Sequence, residues 1–157
     1  MSRRPAKRQH ERRQKPTKRE RIPARASRAQ VHYVRPDPEL PYRVKVYMSP
    51  NRLQMRTTIR YIEGSWKACG RTMGMVCSSS GKANGRQIVA RMFLNVVDLR
   101  RQGMEIITHE CTHAGMAWVR LRRTNLGHMP GEEVLCYAVG RMAQQVNRIC
   151  QMHRIWG

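Results

Sequence analysis

No run of 18 apolar residues occurs anywhere in the 157-residue chain, so no membrane-spanning helix is expected. No apolar stretch follows the basic opening segment, which argues against a secretory signal and makes the cytoplasm the expected location. Cysteine is present without pairing signals: Cys69, Cys77, Cys111, Cys136 and Cys150 are odd in number and never form C-x-x-C. That spacing excludes a zinc ribbon and a disulfide framework, and it fits a reducing compartment. The Ser/Gly/Lys stretch at 78–85 lacks phosphate-loop spacing, so no nucleotide site is assigned there, and no internal repeat is visible. Carboxylates are scarce. Ten Asp and Glu face 31 Lys and Arg, for a formal net charge of +21.

That imbalance calls for a polyanionic partner, with nucleic acid first because cations gain affinity by releasing counterions from phosphate. Residues 1–30 hold twelve Lys and Arg and almost no large apolar side chains, too little to offset the entropy of ordering. A disordered basic tail is expected there. Its Arg3, Arg4, Lys7, Arg8, Arg12, Arg13, Lys15, Lys18, Arg19 and Arg21 are the candidate phosphate contacts. Pro36, Pro38 and Pro41 mark residues 31–41 as an extended linker, leaving 42–157 as one folded domain.

Within that domain, Val44, Val46 and Met48 alternate with Arg43, Lys45 and Tyr47, the period of a half-buried strand. Ser49-Pro50 signals a helix start, and Leu53, Ile59 and Ile62 form its expected inner face to about Ile62. Residues 71–77 and 87–97 read as strands. Asp98 is the expected cap of a helix running to about Arg123, with Gly103 hinting that regular helix starts only there. Pro130-Gly131 opens a last helix with a core stripe of Leu135, Val139, Met142, Val146 and Ile149.

The middle helix carries His109-Glu110-Cys111-Thr112-His113. Positions four apart on a helix are rotated by only about 40°, so both imidazoles can reach one ion while Glu110 stands at the edge of their face. Two neutral nitrogens, a nearby carboxylate and an open position are the parts of a zinc-hydrolysis site: Zn2+ acidifies water and Glu110 takes the proton. The apolar flanks (Met104, Ile106, Ile107, Ala114, Met116, Ala117, Trp118) predict that this helix is buried nearly all round. Cys111 and Cys136 fall close enough in sequence to approach such an ion, though small buried apolar roles suit them better. His128, between the two helices, is a candidate donor to a developing oxyanion.

A third protein ligand is needed, and Glu132 and Glu133 open the following helix. Met116 and Val119 occupy the positions where metzincins place a glycine and a third histidine. With Glu133 twenty residues beyond His113 and Gly140 seven residues after it, the pattern resembles the gluzincin metallopeptidases of the HExxH zincin superfamily, in particular short members encoded by phages and mobile elements. The resemblance covers 104–140 by motif and 42–152 by the order of elements. It implies an α+β zincin-like domain: a short mixed sheet of about three strands packed on the active-site helix and a C-terminal glutamate helix. It implies Glu133 as the third zinc ligand, with Glu132 its rival. It also implies that the strand at 87–97 borders the cleft and pairs with an extended peptide. The family's aspartate four residues after the ligand is replaced here by Tyr137, which stands where a partner of a ligating histidine belongs. The function so implied is a zinc-dependent metallopeptidase acting on peptide or protein, near nucleic acid, in the host cytoplasm if phage-encoded. The alternative is a basic nucleic-acid-binding protein whose zinc site is structural or vestigial.

Overall fold

The computed structural model describes residues 29–64, 73–79, 81–83 and 85–156. The tail cations from Arg3 to Arg21 therefore lie outside the described residues, as does Cys69. Elements follow in the order β1 (Gln30–Val34), β2 (Tyr42–Ser49), α1 (Arg52–Glu63), β3 (Gly74–Ser78), β4 (Lys82–Ala83), β5 (Arg86–Asn95), α2 (Val96–Leu121) and α3 (Met129–Met152). None of the described helices is long and apolar enough to cross a membrane.

The α+β class holds, but the sheet is larger than its expected three strands. Its path is β1-β2-β5-β3, with the two-residue β4 also pairing β5. β2 and β5 run parallel, while β1 and β3 are antiparallel to their neighbours. The extra strand comes from the segment expected to be linker. Val31, Tyr33 and Val34 pair with Tyr47, Lys45 and Val44, so the proline-rich connection begins only after β1. β3 and β4 both lie along one side of β5, and Gly85, just before β5, has a φ of 71° that suits glycine.

β5 is the centre of the sheet rather than its border, paired by β2 on one side and by β3 on the other. The expectation that it lines a cleft is thus corrected. Its continuous apolar run is what a strand covered on both faces needs. Val89, Ala90, Met92 and Leu94 join Val44, Val46 and Met48 against α2 and α3, while Phe93 stacks on Tyr47 with Met55 and Ile59 of α1. Leu53, expected inward, is exposed, because six residues from Ile59 it stands about 120° round the helix from the buried face. Met55, four residues from Ile59, shares that face instead, and the cap is Asn51 rather than Ser49, with Oδ1 accepting from Gln54 N at 2.9 Å.

A similar shift sets the start of α2. Asn95, not Asp98, is the cap: its Oδ1 accepts from Asp98 N at 2.9 Å. Asp98 instead binds the Arg52 guanidinium, which donates from Nε at 2.6 Å and Nη2 at 2.9 Å, and it accepts from Asn95 Nδ2 at 2.8 Å. The Arg52 contact, with help from Asn95, holds the Asp98 carboxyl below its ordinary range despite its burial. Its folded pKa is therefore lower than its unfolded one. The associated stability is fully present above the unfolded carboxylate range near about 4 and is lost as pH falls through the folded value. Urea midpoints of wild type and Asp98→Asn are expected to differ most above about pH 5 and to converge in acid. A gap independent of pH would assign the effect to packing alone.

Candidate active site

α2 is interrupted once, at Gln102, whose φ of −141° and ψ of 39° are not helical. The kink separates a first segment anchored by Asn95 and Asp98 from the segment carrying the histidines. The ring of Trp156 lies against the kink. A Cβ on Gly103 would come within 1.9 Å of it, so this glycine is required by close approach. Trp156 is fixed in turn by donation from Nε1 to Asn147 Oδ1 at 2.8 Å.

Beyond the kink α2 is two-sided, not buried all round as its apolar flanks suggest. Ile106, Ile107, Cys111, Ala114, Trp118 and Val119 face the core, whereas Met104, His109, Thr112 and His113 are exposed. The exposed face forms an open depression of about 590 Å³ lined by Met104, Glu105, Thr108, His109, Thr112 and His113. Glu105, one turn before His109, joins the motif residues there, a neighbour that helical spacing alone makes legible.

The two imidazoles meet as the four-residue spacing requires. His109 Nε2 and His113 Nε2 are 3.1 Å apart, with the rings edge to face. Two nitrogens bound tetrahedrally to one zinc at about 2.0–2.1 Å would lie about 3.3–3.4 Å apart, so the pair fits a shared ion. Neutral imidazoles also make this contact as an N–H···N hydrogen bond.

Glu110 sits between this exposed pair and the sheet. It is 4% exposed, and burial pushes its carboxyl up to about 6, against the opposing influence of the His109 charge. β3 passes directly over it. A Cβ at Gly74 would lie 2.8 Å from both Cγ and Oε1 of Glu110, so the absent side chain is what lets strand and carboxylate share this space. Sequence reasoning missed Gly74, because nothing local in the chain points from residue 74 to residue 110.

Of the other expected residues, Glu132, Glu133, Cys136 and Tyr137 lie on α3 and His128 precedes it. Among the described residues no group of three His, Cys, Asp or Glu side chains gathers to hold a metal. The spacing of the two imidazoles suits one zinc, and among the described residues no third His, Cys, Asp or Glu joins them. α2 continues through Leu121, and Gly115 meets Leu135 and Val139 rather than the first turn of α3. Helical spacing further groups Glu133 with exposed Tyr137, and Glu132 with the α2-facing Val139. Tyr137 is 64% exposed and makes no hydrogen bond to either imidazole. His128 is the N-cap residue of α3 through its backbone, its carbonyl accepting from Gly131 N at 2.9 Å and Glu132 N at 3.3 Å. Cys111 is fully buried and its thiol is pushed up to about 12, chiefly by desolvation, which leaves no thiolate for nucleophilic chemistry. Cys136 is exposed on α3.

Comparison of the chain with protein-family models, with curated proteins and with solved structures finds no match.

Proposed function

We propose that this chain is a zinc-dependent metallopeptidase of the gluzincin type, with His109 and His113 as metal ligands and Glu110 as general base. The observation that carries the reading is the 3.1 Å approach of the two Nε2 atoms beside a buried Glu110. Bound zinc supplies Lewis acidity toward water and toward a scissile carbonyl. The chain's own residues supply the rest. Glu110, with a carboxyl raised to about 6, is ionised at neutral pH and still basic enough to accept a proton. It takes that proton as water adds to the peptide carbonyl, then delivers it to the amide nitrogen as the C–N bond breaks. The exposed face of α2 leaves room for a polypeptide substrate.

The resemblance assigns the remaining ligand to Glu133, with Glu132 its rival. Metal content after purification and dialysis tests both levels of the proposal. Wild type is expected to hold one zinc per chain, and replacing both His109 and His113 by Ala is expected to lower this below a tenth. Undiminished zinc in that variant would remove the site. Weaker zinc binding in Glu133→Ala or Glu132→Ala identifies the third ligand. Full affinity in both would end the gluzincin assignment while leaving the two-histidine core.

A further inference from the structure

The sheet carries a second cluster of chemistry, at the end away from Asn95 and the histidine helix. There β1 ends, β2 begins and β5 begins. The register sets Val34 against Val44, Tyr42 against Gln87 and Arg43 against Ile88, and Gln87 N donates to Pro41 O at 3.0 Å. This pairing brings Arg35, Arg43 and Arg86 from three successive stretches of backbone to one place. No described carboxylate forms an ion pair with any of them. Their mutual repulsion is felt: Arg35 and then Arg43 lower the pKa of Arg86. Arg43 Nε is buried without a hydrogen-bond partner. Like charges gathered without counter-charge are unfavourable for the folded chain alone, and an unpaired buried donor adds to that cost. A bound anion would relieve both.

The aromatic neighbours narrow the class of anion. The Arg43 guanidinium carbon lies 5.6 Å from the centroid of the Tyr33 ring, and Lys45 pairs with Tyr33 across the strands. Val31 and Tyr33 are exposed on this face of the sheet, which α1 covers only around Tyr47 and Phe93. An exposed ring beside a guanidinium plane, flanked by further cations, combines a stacking platform with a phosphate track. An acidic peptide would use the charges but has no need of the ring, and a duplex would keep its bases out of reach of it.

The geometry points to a single-stranded nucleic-acid site on the folded domain, with Arg35, Arg43 and Arg86 on backbone phosphates and a base stacked on Tyr33. This site is distinct from the basic tail and independent of the peptidase reading.

Fluorescence anisotropy of a labelled oligothymidylate, titrated with the full chain at several salt concentrations, tests it. Tyr33→Ala is expected to weaken single-strand binding by roughly tenfold or more without changing the salt slope or duplex binding. Replacing Arg35, Arg43 and Arg86 together by Ala is expected to make the log–log salt slope shallower by about 2, from three contacts at about 0.7 each. Wild-type affinity and slope in both variants would overturn the proposal and leave binding to the tail. Poly-L-glutamate binding as tightly as the oligonucleotide, and weakening equally in both variants, would overturn it in favour of an acidic protein partner. Should the triple variant fail to fold, photo-crosslinking of a bromodeoxyuridine oligonucleotide to the wild-type chain still decides. An adduct at Tyr33 supports the site, and adducts confined to residues 1–28 reject it.

Discussion

Glu110→Gln is expected to lower peptide hydrolysis by about 10²- to 10⁴-fold, the range that a positioned general acid–base group contributes. Zinc content and melting temperature should stay close to wild type. Glutamine matches glutamate in shape, so the space under β3 remains filled, and the contact at Gly74 allows the side chain little freedom to move elsewhere. What the amide lacks is a basic oxygen able to take a proton from water and return it to the leaving amine. Parallel measurement of turnover, bound zinc and thermal unfolding separates loss of the base from loss of the fold. Turnover within a few-fold of wild type would show that Glu110 is not the base, whatever the metal content.

Trp118→Ala should produce the largest loss of stability, about 3–5 kcal/mol by analogy with other buried aromatic truncations. Trp118 is 2% exposed and belongs to the cluster joining α2, α3 and the inner face of the sheet. Its ring also lies 4.9 Å from the Arg122 guanidinium carbon. A cost of that size is a large part of the 5–15 kcal/mol typical of a whole domain. Trp118→Phe should cost far less. The indole Nε1 is buried without a hydrogen-bond partner, so phenylalanine gives up some volume but also removes an unsatisfied donor. Urea unfolding of the two variants measures the difference. Equal losses would mean that Nε1 has a partner in solution, such as a bound water.

The pairing of the two histidines is legible in the sequence. His109, Glu110 and His113 relate through one helical turn, and helix geometry is a local property: 3.6 residues per turn brings i and i+4 together in any context. The strand at Tyr42–Ser49 was legible for a similar reason, because its apolar and polar residues alternate with a period of two. The helix starts are less legible. Ser49-Pro50 and Asp98 have cap-like chemistry, yet Asn51 and Asn95 take the cap positions, and Asp98 is drawn instead to Arg52, a residue 46 positions away.

Local rules fixed which side chains share a helix face or a strand face, since those depend on backbone periodicity and on neighbours within a turn or two. Packing between distant segments decided everything that depends on one element's level against another. It put β5 in the middle of the sheet, laid Gly74 over Glu110, and set Gly115 against Leu135 and Val139. It also collected three arginines and Tyr33 at one end of the sheet from positions that look unrelated along the chain. The physical reason is that helix length and sheet register are set by the burial of whole surfaces, a sum over many residues that no short motif carries.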